Sequence, residues 1–140
     1  MTEPTKIDFH HRRIQRLDDI TDLVEILFPG NRNQQHAAAR ILLALKSSSA
    51  ELIPSLTFLE KQHNISRRTL QRTRAKLSRL GLIERITWTN SRYGGQEGWK
   101  LSSRFGTALR RLAETCDAWR KDTDSERVRK DEMLVGLLHP

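Results

Sequence analysis

Apolar residues recur at three- and four-residue steps through most of the chain, which is the pattern of helices with one buried face. Ile14, Leu17, Ile20, Val24, Leu27 and Phe28 predict a helix from about Arg13 that ends at Pro29-Gly30. A second begins near Asn33, with Ala37, Ala38, Ile41, Leu42 and Leu45 on one side, and closes at the serines 47 to 49. Leu56, Phe58 and Leu59 mark a helix of about two turns between Ser55 and His63, broken at Asn64. Ser66 then stands where a side-chain oxygen caps a helix, and Leu70, Thr73, Leu77 and Leu80 share one face up to Gly81. After it the period changes to two. Residues 83 to 88 and 97 to 101 read as strands, and the turn formers between Thr89 and Gly95 make them a hairpin with a long tip. Phe105, Leu109, Leu112, Cys116 and Trp119 restore the helical spacing.

The expected fold is therefore mainly α with a small β-hairpin: a winged helix-turn-helix with flanking N- and C-terminal helices. Its expected parts are a flexible arm (1–12), an N-terminal helix (13–30), the winged core (31–103), a C-terminal helix (104–120) and a charged tail (121–140). The tail is read as disordered or as docking on a partner through Met133, Leu134, Val135, Leu137 and Leu138.

Charge sharpens this picture. Of 25 Lys and Arg residues, seven lie between Lys61 and Ile83 (Lys61, Arg67, Arg68, Arg72, Arg74, Lys76, Arg79), where there is no Asp or Glu. The other 117 residues carry 18 basic against 17 acidic side chains. A concentrated patch without counter-charges is the footprint of a phosphate-backbone binder, whereas a solvated surface mixes both signs. The patch also coincides with the helix that follows a short helix and a tight turn, and a helix so presented fits the major groove of duplex DNA.

On a helical projection Leu70 and Leu77 point inward and Arg68, Gln71, Arg72, Ala75 and Arg79 point outward, with Arg67 and Arg74 at the seam. Arg67, Arg68, Gln71 and Arg72 are the candidates for base edges, since arginine pairs bidentately with guanine and glutamine with adenine. Ser66 and Thr69, at the helix N-terminus, are candidates for phosphate oxygens, and Lys76 and Arg79 for attraction farther along. For each cation the competing reading is an exposed side chain that serves solubility.

The run Ser66-Arg67-Arg68-Thr69-Leu70-Gln71, continuing through Leu77 to Gly81-Leu82-Ile83, resembles the recognition-helix signature of bacterial winged-helix regulators of the GntR type. The layout, with one helix before and a long helix after the winged core, resembles the MarR type, although residues 89 to 95 lack that type's Asp-x-Arg-Asp pattern. The resemblance covers about residues 33 to 101 for the fold and about eighteen residues for the motif. It implies that the helix from Ser66 reads the major groove and that the hairpin tip, at Asn90, Ser91 and Arg92, reaches the minor groove or the backbone. Winged helices also serve plasmid, phage and mobile-element replication or partition proteins, so that role is the alternative to transcriptional regulation.

Other chemistry is sparse. No P-loop, nucleophile elbow or HExxH helix occurs, so no enzyme activity is expected. His10, His11, His36, His63 and His139 lack metal-ligand spacing, so neither a metal nor another cofactor is expected. Trp88 and Trp99 are expected to pack under the hairpin, and Tyr93 lies at its tip. Cys116, the one cysteine, forms no internal disulfide, which suits the cytoplasm. Without a membrane span or signal peptide, a cytoplasmic, nucleoid-associated protein is expected. The apolar stripes of the first and last helices suggest a homodimer, against the alternative that both fold back on their own core. A small-molecule effector is left open.

Overall fold

A computed structural model describes residues 5–89 and 91–139, the side chain of Ser91 excepted. Described elements run α1 (His11–Gln15), α2 (Ile20–Leu27), α3 (Arg32–Ser47), α4 (Phe58–Gln62), α5 (Arg67–Leu80), β1 (Ile83–Ile86), a 3-10 turn (Ser91–Tyr93), β2 (Gly98–Leu101), α6 (Arg104–Lys121) and α7 (Ser125–Gly136). The chain is thus mainly helical with one antiparallel hairpin, and it divides into two compact units after Phe105.

In the first unit α3 packs on α2, α5 and β2, and α5 packs on β1. Phe28, Ile41, Leu56, Leu59, Leu70, Leu77 and Ile83 are fully buried at the centre. The hairpin pairs Ile83 with Leu101 and Ile86 with Gly98. Ile53 adds a single antiparallel bridge on the other edge of β2, exchanging both backbone hydrogen bonds with Trp99 at 3.0 and 2.8 Å. Gly98 makes this approach possible, because a Cβ there would lie 2.7 Å from the Ile53 carbonyl oxygen.

Four expectations are corrected here. The continuous helix from Arg13 to Phe28 is two helices. Asp19 interrupts it as an N-cap, accepting from the amides of Thr21 (2.9 Å) and Asp22 (3.2 Å), while the Asp22 carboxylate accepts from the Asp19 amide. The Thr21 hydroxyl, then the Asp22 amide, hold the Asp19 carboxyl below its usual range.

Residues 5 to 12 are not a free arm, since Ile7 packs against the core, the Asp8 amide donates to the Ile26 carbonyl (2.9 Å), and α1 begins at His11. The N-terminal apolar stripe is also largely used within its own unit. Val24 and Leu27 are buried and Ile20 packs on the core, leaving Ile14 and Leu17 exposed.

The second unit is a pair of helices. Residues 121 to 139 are not a structureless tail: Asp124 caps α7 by accepting from the Glu126 amide (2.9 Å), and Arg127 pairs with Asp122 at 2.9 Å. The Trp119 indole donates to Asp131 at 3.2 Å. Apolar side chains of this unit, among them Leu112 (57% exposed) and Trp119 (69%), remain open to solvent.

Candidate nucleic-acid interface

The turn into α5 starts with Asn64, whose φ of 53° is left-handed, a conformation that asparagine tolerates better than most residues. It reverses the chain between α4 and α5, and buried Ile65 pins the reversal to the core. Ser66 then caps α5: its Oγ accepts from the Thr69 amide (3.1 Å) and donates to the Thr69 hydroxyl (2.8 Å). The two hydroxyls expected near phosphate are therefore paired with each other, which leaves the Thr69 hydroxyl proton for an outside acceptor. At the other end Gly81, with φ 87°, accepts the left-handed stop, and its amide donates to the carbonyls of Leu77 and Ser78 at 3.1 Å.

Leu70, Thr73 and Leu77 are the buried stripe of α5. This fixes the rotation of the helix, and Arg67, Arg68, Gln71, Arg72, Ala75 and Arg79 are all exposed. Thr73 is fully buried and, among the described residues, its Oγ1 has no hydrogen-bond partner.

Two cations of the basic window do not join the exposed face. Arg74 turns to the hairpin, with its guanidinium carbon 5.0 Å from the centre of the Trp99 ring. Lys76, expected to attract phosphate, turns inward instead. Its Nζ donates to the Lys6 carbonyl (2.7 Å) and to the Leu27 carbonyl, and lies 4.5 Å from the centre of the Phe28 ring. A C-terminal helix carbonyl is a natural acceptor for an ammonium. Burial, and secondarily the charge of Arg79, lower the Lys76 pKa. Lys76 is thus removed from the contact set for a structural reason.

At the hairpin tip Arg92 is exposed within the 3-10 turn, followed by left-handed Gly94 and Gly95. Asn90 lies outside the described residues, as does the Ser91 side chain. Tyr93 is half-buried and its hydroxyl accepts from Lys100 Nζ at 2.8 Å. The tryptophans separate. Trp99 is buried, but Trp88 lies beyond the end of β1 and is 67% exposed, so it does not pack under the hairpin as expected.

The arrangement offers guanidinium and amide donors along one rigid helix, plus Arg92 on the hairpin. Among the described residues no three His, Cys, Asp or Glu side chains gather as a metal site, and no helix is long and apolar enough to cross a membrane. Lys6 was missed by the sequence reading. It lines an open groove beside Arg72 and Arg79, and its advance signal was the apolar pair Ile7 and Phe9 in a mostly polar segment. Comparison with known proteins gives no match among family models, curated proteins or solved structures.

Proposed function

We propose that this chain is a winged helix-turn-helix protein that binds double-stranded DNA, with α4 and α5 as the helix-turn-helix and the β1–β2 hairpin as the wing. One observation carries the reading: α5 exposes Arg68, Gln71, Arg72 and Arg79 on the face opposite its buried stripe and Arg67 beside it, within a window that holds no acidic side chain. Arg67, Arg68, Gln71 and Arg72, on the N-terminal half, read base edges; Thr69 and Arg79 contact phosphate, and Arg92 on the wing contacts the adjacent backbone. The protein acts in the cytoplasm, on the nucleoid, as a sequence-specific transcriptional regulator of the GntR- and MarR-like kind, without enzyme activity or a cofactor.

A homodimer fits this reading. The exposed apolar side chains of the second unit would be covered by a second copy, and a two-fold dimer would offer two α5 helices to a palindromic site. Sedimentation tests it. The wild type is expected as a dimer at micromolar concentration and the Leu112→Glu, Trp119→Glu variant as a monomer; a monomeric wild type contradicts the dimer.

Selection of bound duplexes from a random pool tests the regulator role. A single enriched palindrome is expected. The alternative, an accessory protein of replication or partition on a plasmid, phage or mobile element, is favoured by the exposed apolar residues of α7, which suit a docking surface. It predicts cooperative filling of repeated sites instead.

A further inference from the structure

Lys76 joins three segments that are distant in sequence. From α5 it donates to the last carbonyl of α2, at Leu27, and to the carbonyl of Lys6, with its ammonium against the face of Phe28. The Asp8–Ile26 backbone bond and the packing of Ile7 hold the same N-terminal segment from its other side. Thr5 and Lys6 are thereby laid along the outer edge of α5. Together with Gln34 from the first turn of α3, and with Arg72, Ala75 and Arg79, they line an open groove of about 460 Å³. Among the described residues that line it, none is acidic. Lys6, Arg72 and Arg79 are exposed, and Gln34 and Thr5 add neutral donors.

The position of the groove along α5 matters as much as its charge. Fourteen residues make a helix of roughly 21 Å, against a major groove about 12 Å wide. With the N-terminal half, through Arg72, at the base edges, the Ala75–Arg79 portion is placed at the groove margin, where a phosphate ridge runs. Guanidinium groups match the paired oxygens of a phosphodiester, and an open channel suits a chain that continues in both directions.

We infer that this groove receives the DNA backbone phosphates that flank the segment read by α5, with Lys6 and Arg79 as contacts and Lys76 as the residue that positions Lys6. The inference rests on the DNA-binding reading and adds to it a contact carried by the N-terminal segment. It assigns Lys76 a role opposite to that of its neighbours: its charge serves to hold the segment, while Lys6 faces the ligand side.

Binding to a 20-base-pair duplex as a function of salt tests this, using the full chain and three variants: Lys6→Ala with Arg79→Ala, Lys76→Met, and Lys6→Ala with Lys76→Met. Lys6→Ala leaves intact the backbone carbonyl that Lys76 uses, so the first variant is expected to fold as the wild type does. Each lost phosphate contact lowers the slope of log affinity against log salt by about 0.9, so the first variant is expected to lose about 1.8, equally on every duplex sequence. Lys76→Met is expected to lose about one contact, and adding Lys6→Ala to it is expected to lose nothing more. An unchanged slope in the first variant, with wild-type DNA binding intact, overturns the inference and leaves the DNA-binding reading standing. Absence of wild-type binding overturns the reading itself. Inorganic phosphate that raises the wild-type melting temperature but not that of the first variant, with the duplex slope unchanged, identifies a small-anion site and also overturns the inference.

Discussion

Arg74 lies over the ring of Trp99, 5.0 Å from its centre, and so links α5 to the second strand of the hairpin rather than to solvent. Arg85, paired with Glu97 at 3.4 Å, approaches the same ring at 6.0 Å. Arg74→Ala is therefore expected to lower stability by about 0.5–1 kcal/mol, read as a lower denaturant midpoint. Arg67→Ala and Arg68→Ala are expected to leave the midpoint nearly unchanged while weakening DNA binding. The reverse pattern, with Arg74→Ala silent in stability, contradicts the packing role.

Acid is expected to weaken the fold through His63. Burial lowers its pKa from 6.5, and the nearby charges of Arg40 and His36 act in the same direction. Arg40 Nε donates to His36 Nε2 at 3.3 Å, and the two imidazoles meet edge to face with centres 6.4 Å apart. The folded chain therefore holds its proton on His63 less tightly than the unfolded chain. Stability rises with pH from the lowered folded-state value up to 6.5, and it falls on acidification through that window. Denaturant titrations between pH 7 and 5 are expected to show a smaller loss for His63→Gln than for the wild type. Equal losses would show that His63 is not the group responsible.

Gly81 cannot be replaced without strain. Its φ is 87°, and a Cβ would meet the Cβ of Arg104 and the amide nitrogen of Phe105, each at 2.9 Å. That amide also donates to the Gly81 carbonyl at 2.9 Å, so the contact is part of the join between α5 and the start of α6. Gly81→Ala is expected to cost about 1–2 kcal/mol from the left-handed backbone, with the clash in addition. A melting temperature equal to that of the wild type would contradict this.

The ends of α5 were legible because each is set by one residue with a local mechanism, the Ser66 cap and the Gly81 stop. The outward face was legible because helical periodicity fixes it once Leu70 and Leu77 are buried. Features that depend on distant partners were not. Ile53 pairs with β2 through a single residue, too short to leave an alternating pattern. Leu17 and Ile20 keep helical spacing across the break before α2, so periodicity concealed it, although Asp19 and Asp22 carried the signal of a new N-terminus. Lys76 was read as exposed from its charge. Three residues beyond buried Thr73, it stands at the edge of the buried face, and its long stem reaches carbonyls that no local pattern reveals. Trp88 was assigned to packing by residue type, but β1 ends at Ile86, before it.

The central claim is that the exposed face of α5 binds duplex DNA. The most direct measurement is affinity for random duplex DNA across a range of salt, comparing the wild type with the Arg68→Ala, Arg72→Ala variant. Both residues are exposed, so the variant is expected to fold normally. The wild type is expected to bind with a steep negative salt slope, and the variant more weakly with a shallower slope. Wild-type binding that fails even at low salt, or a folded variant indistinguishable from it, contradicts the account.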